Sequence, residues 1–169
     1  RGRKYNVEVL NKSGVVLLVA CWEAFVEDCA SAAFDILLSH ANTPALFPES
    51  VRRLVANAVR GGQHDLEPWR LADGGWQAEL KVHRSAVLAK YGALNTPSAD
   101  NVDELFKNSI GFKSMSAQWT WHRKRSSQAT ADLTALIKLR GDIAHRTQAS
   151  STVLKKDVTD GVQLIRRLA

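Results

Sequence analysis

The stretch "SGVVLLVACWEAFVEDCASAAFDILLSH", Ser13 to His40, constrains the fold more than any other part of the chain. It is rich in Ala, Leu and Val and has no proline and no glycine after Gly14. A strand seldom exceeds about 8 residues, so a pattern this long predicts a helix, beginning at Val7 or Ser13 and ending at His40. Its longest apolar run, Val15 to Trp22, stops at Glu23. That is well short of the roughly 20 residues needed to cross a bilayer, so no membrane association is expected.

The remaining segments read as helices too. "ANTPALFP" ends the first with two prolines, and "ESVRRLVANAVRG" follows as a second, closed by Gly61 and Gly62. Residues Gln63 to Gly75 read as irregular, with one helical turn near "DLEPWRL". "WQAELKVHRSAVLAKYG" predicts a third helix closed by Gly92. A short fourth lies between Pro97 and Gly111, with Ser98 or Asp100 as N-cap. A fifth runs from Met115 or Ser127 to Arg146, and a sixth from Ser151 to Leu168. No alternating strand pattern persists, and no linker is long enough to split the chain. The expectation is a single all-α domain over residues 1–169, a bundle of about six helices.

Charge and cysteine usage narrow the partners. The net charge of +6, with a pI near 9.6, favours a polyanion. Cys21 and Cys29 fall eight residues apart in one helix, about 12 Å of rise, which is too far for a disulfide. Two free thiols suit a reducing cytoplasm. His40, His64, His83, His122 and His145 are scattered, with no Cys-x-x-Cys or His-Glu-x-x-His spacing, so neither metal nor cofactor is expected. "RGGQHD" and "ADGGW" lack the Gly-Lys-Ser/Thr ending of a phosphate loop.

Two helices carry a lone charge in an apolar stripe. At about 100° per residue, Leu133, Leu136, Ile137, Ile143 and Ala144 all lie within about 60° of Arg140, which therefore centres the core-facing side of its helix. A guanidinium buried without a partner costs several kcal/mol, so a carboxylate or phosphate is expected beside it. On the first helix, Val16, Val19, Val26, Ala30, Phe34 and Leu37 lie within about 60° of Glu23. Glu23 and Arg140 are thus expected to face each other, as a structural ion pair or as part of a site. His145 is about 140° around the helix from Arg140. A long arginine side chain, a break at Gly141, or a two-fold axis beside the helix reconciles them. Asp142, three residues before His145, is within reach to orient its imidazole.

Arg140-Gly-Asp-Ile-Ala-His145 resembles the Arg, four to six residues, His motif of the HEPN superfamily. "VACWEAFVEDCASAAFDIL", Val19 to Leu37, is similar to the first long helix of its RiboL-PSP-HEPN branch. The resemblance implies a metal-independent endoribonuclease with Arg140 and His145 catalytic. It also implies a homodimer joined through the Arg140–His145 helix, and a toxin or anti-phage role with an antitoxin or regulatory partner. The chain departs from many members in placing Gly141, not Asn or another polar residue, after the arginine; Asp142 is the nearest polar replacement. Some members only bind RNA or proteins, so a non-catalytic adaptor is the alternative.

The chemistry has its own logic. RNA carries its nucleophile, the 2′-OH, whose proton a neutral imidazole accepts. A guanidinium holds two phosphoryl oxygens and stabilises the charge that develops on them. In "WTWHRKRS", Arg123, Lys124 and Arg125 are placed to follow a phosphate backbone, with a tryptophan to stack a base. The competing reading is a core tryptophan beside a solvated basic turn. Arg146 is a further candidate RNA contact.

Overall fold

A computed structural model describes residues 7–92, 96–145 and 152–169. Six α-helices and no β-strand occur among them: α1 (Val7–His40), α2 (Glu49–Arg60), α3 (Gly75–Gly92), α4 (Ala99–Ile110), α5 (Ser126–His145) and α6 (Lys155–Leu168). The all-α class holds, and α1 takes the longer of its two expected forms. Short 3-10 turns stand at Pro44–Leu46, Glu67–Leu71 and Ser116–Gln118. The second of these is the helical turn anticipated near "DLEPWRL".

Contacts divide the chain into two compact units. One takes in the chain up to Val26, Thr96–Ala99 and Ser116 onward; the other holds Glu27–Asn95 and Asp100–Met115.

The first unit packs α1, α5 and α6. Val15, Val19, Leu136 and Val153 form its buried cluster, joined by Leu18, Ile137, Leu139, Ile143, Val158, Leu164 and Ile165. The spacing of four between Val15 and Val19 keeps both on one helix face. Trp22 is 2% exposed and donates its indole N–H to the Pro97 carbonyl at 3.0 Å. Its ring stacks on Phe25 at 5.9 Å and meets the edge of Trp119 at 5.8 Å. Gly161 permits the closest approach: a Cβ there would come within 2.8 Å of a Leu18 methyl and 3.2 Å of a Leu136 methyl.

α6 begins at Lys155, four residues later than the sequence suggests, for a local reason. Val153 lies outside the helix and is 1% exposed in the core, and its carbonyl accepts from the Asn11 amide at 3.0 Å. The next N–H, that of Leu154, donates to the Asp157 carboxylate at 2.7 Å, and the helix starts behind that bond.

The second unit centres on Phe34, Ala41, Phe47, Val51, Val55, Trp76 and Leu80. Valines 51, 55 and 59 of α2 are buried at helical spacing, and its outer face is polar. The Arg84 guanidinium lies 5.4 Å from the Phe34 ring centre and donates to Asp35 at 2.6 Å. Gly111, at φ +76, ends α4 in the left-handed region, against Pro48. Cys21 and Cys29 are both free thiols, as their spacing requires. Burial, and secondarily the Asp28 charge, pushes the Cys29 thiol up from its ordinary range.

Candidate functional site

Arg140 stands one turn beyond Leu136 on the stripe that α5 buries. Ala129, Leu133 and Leu136 are 0%, 1% and 6% exposed, and Arg140 continues the same face, half-buried. Among the described residues it has no hydrogen bond and no carboxylate within 4.0 Å. Asp142 is half-buried and already engaged in a polar or charged interaction. α5 runs unbroken through Gly141 to His145, so the glycine does not end the helix. Beyond its own stretch of helix, no other described residue lies within 4 Å of where a Gly141 side chain would begin. The His145 side chain and all of Arg146 lie outside the described residues.

Glu23 does not meet Arg140 within the chain. Leu18 and Leu136 both touch the Gly161 position, which sets them level with one another. α1 and α5 are antiparallel here: Trp119, before α5, meets Trp22, while Val153, after α5, is bonded to Asn11. Arg140 is therefore four residues from that level toward Asn11, and Glu23 is five residues from it toward Trp22. The nine-residue offset amounts to about 13 Å along the helix axes. Glu23 is half-buried at the margin of the α1 stripe; the centre of that stripe, set by Val15, Val19, Trp22 and Val26, lies about 70° around the helix. The expectation of a facing pair is corrected on this point. Angles read from the sequence put both charges near apolar faces but say nothing of their height.

The basic segment before α5 forms a tight turn. Trp121 and Lys124 exchange backbone hydrogen bonds at 3.2 and 2.9 Å, with His122 and Arg123 at the tip. Arg123 is exposed, at φ +62. Lys124 is paired with Asp132 of α5, so its charge is already matched. Arg125 is exposed, and its backbone N–H donates to the Gln128 side chain at 3.0 Å. Trp119, 5% exposed, is core, as the competing reading of this segment holds. Trp121 differs: with His122, Lys124, Gln163 and Arg167 it lines a groove of about 550 Å³ between α5 and α6. Asp132 and Asp160 line the same groove. Sequence reasoning offered a basic turn beside a core tryptophan here, but missed the left-handed Arg123, which leaves no compositional signal, and the groove.

Arg123→Gly separates fold from binding. A non-glycine residue in the left-handed region costs about 1 kcal/mol, so the variant is expected to melt several degrees higher. If the turn touches a phosphate, the same variant lowers the salt slope of RNA binding by about 1. Calorimetry and titrations at several salt concentrations measure the two effects.

No group of three or more His, Cys, Asp or Glu side chains able to hold a metal occurs among the described residues. The RiboL-PSP-HEPN family model matches residues 2–169, essentially the whole chain.

The chain belongs to the RiboL-PSP-HEPN family.

No curated protein and no solved structure matches it. As a HEPN domain it falls in a class whose members are often ribonucleases. Arg140 and His145 lie on one uninterrupted helix, α5.

Proposed function

We propose that this HEPN domain is a metal-independent endoribonuclease that cuts RNA by attack of the 2′-OH on the adjacent phosphorus. One observation carries the reading: a half-buried guanidinium, at the motif position of a HEPN chain, with no protein carboxylate within 4.0 Å among the described residues. Such a group is free to take phosphoryl oxygens.

In the proposed reaction His145 accepts the 2′-OH proton, the O2′–P bond forms and the P–O5′ bond breaks. The products are a 2′,3′-cyclic phosphate and a 5′-OH, whose proton comes from an imidazolium or from water. Arg140 binds the two non-bridging oxygens and stabilises the charge they gain in the transition state. Asp142 orients the imidazole. Glu23, about 13 Å along the axis from Arg140, takes no part in gripping the phosphate. Positions 140 and 145 are about 140° apart around an unbroken helix, which favours a site shared between two copies. Two copies meeting at the ends of α5 bring them together, and the Gly141 position, with no other described residue within 4 Å beyond its own stretch of helix, suits that approach. Arg123, Arg125 and Arg146 guide the RNA. A role as toxin or defence effector, held in check by a partner, fits an activity of this kind.

Incubation with total RNA in excess EDTA tests the proposal. Cleavage that survives chelation and is lost in Arg140→Ala supports it. Binding without cleavage assigns the domain to recognition instead.

A further inference from the structure

Among the described residues, nothing covers the outer face of α1. Taking Leu17 as reference, Leu10, Ser13, Ala20, Cys21 and Ala24 all lie within about 60° of it, with Phe25 at the edge. All are exposed: Leu10 to 71%, Leu17 to 65% and Phe25 to 37%. The face bears no charge until Asp28. It is diametrically opposite the face that Val15, Val19, Trp22 and Val26 bury in the core. α1 reaches a mean hydropathy of 1.6 over an 18-residue stretch, only 22% of which is buried. A helix apolar all round is ordinarily covered all round.

We propose that this face of α1 is a self-association surface, covered in solution by the same face of a second copy in antiparallel, two-fold contact. Three observations favour this occupant. First, the exposed apolar surface amounts to about 500 Å² per copy, hence about 1,000 Å² for a pair, the lower end of what a specific protein contact needs. Second, the small residues Ser13, Ala20 and Ala24 share the stripe with Leu10 and Leu17. Placing the axis beside Cys21 seats each Leu17 over Ala24 of the other copy, and helices with small residues at the contact approach to about 8 Å. Third, the margins discourage a membrane. From Ser13 to His40 the helix has Glu23, Glu27, Asp28 and Asp35 but no Lys or Arg, whereas helices that lie on anionic bilayers are rich in basic residues. Its opposite face is committed to the protein core, so α1 does not span a bilayer while the domain is folded.

The contact is separate from the end of α5 and does not rest on the ribonuclease reading. With the axis beside Cys21, the two copies of that thiol come within disulfide reach, which requires Cα atoms closer than about 7 Å. The test uses the full chain at tens of micromolar in sedimentation velocity and in mild oxidation with diamide. Cys29→Ser is expected to form a covalent dimer and Cys21→Ser none. Leu17→Glu, at a position 65% exposed and therefore tolerated by the fold, is expected to weaken self-association at least tenfold and to remove the Cys21 cross-link. Absence of a Cys21 cross-link, or self-association unchanged in Leu17→Glu, overturns the proposal. Co-sedimentation with anionic phosphatidylserine vesicles that Leu17→Glu abolishes also overturns it, in favour of a lipid surface. RNA cleavage reads the end of α5 independently, so the two proposals fail separately.

Discussion

His145→Ala is expected to lower kcat for RNA cleavage by about 10²–10⁴, with RNA affinity staying within about twofold. The size follows from what an imidazole supplies: removing a positioned general base leaves attack by an unactivated 2′-OH. His145 is the last residue of α5, beyond the buried Leu133 and Leu136, so the fold is expected to survive its truncation. Arg140→Ala differs in kind. In the proposed reaction it removes both a ground-state contact to the phosphate and the stabilisation of the charge that develops on it, so kcat is expected to fall by about 10²–10³ and KM to rise. Arg140→Lys recovers little, because a point charge does not replace a planar fork that grips two oxygens. Single-turnover kinetics on a short RNA separates the two variants, and circular dichroism confirms that both are folded.

Trp22→Ala is the largest expected loss of stability, about 3–5 kcal/mol, a large share of the 5–15 kcal/mol that holds a typical domain together. The indole is 2% exposed and packed against Phe25 and Trp119, so its removal leaves a cavity that neighbours on two separate chain segments cannot fill together. The Pro97 carbonyl also loses its donor. Trp22→Phe keeps most of the apolar volume but not the N–H, and is expected to cost less than half as much. Urea titration followed by far-UV dichroism measures both. A loss under 1 kcal/mol in Trp22→Ala would mean that this junction of α1 with the segment before α5 contributes little to the fold.

The helices were legible in the sequence wherever the local pattern was long or strongly bounded. α1 announced itself by length, and α2 by valines at helical spacing before Gly61 and Gly62. The start of α6 was not legible, because it depends on Val153 entering a core built from distant residues and on Asp157 reaching back to the Leu154 N–H. The basic turn at Trp121–Lys124 was one of two readings, but its geometry was hidden: Arg123 holds a conformation that composition assigns to glycine.

Of the candidate site, Arg140 was legible as a charge centred on an apolar stripe, and α5 keeps it there. Its supposed partner was not. Helical angles give azimuth, and Glu23 with Arg140 failed on height, which only the packing of Gly161 against Leu18 and Leu136 reveals. The outer face of α1 was half legible. The apolar character of that helix was plain, but the uncharged stripe of Leu10, Ser13, Leu17, Ala20, Cys21 and Ala24 on its outer side was not singled out.

The central claim is that Arg140 and His145 turn the RNA's own hydroxyl on its phosphate. Mass spectrometry of the fragments cut from a short synthetic RNA in EDTA tests it most directly. The account predicts 2′,3′-cyclic phosphate and 5′-OH ends, and no cut where the 2′-OH is replaced by hydrogen at the scissile position. Fragments ending in 3′-OH and 5′-phosphate, or cleavage that ignores the 2′-deoxy substitution, would contradict it.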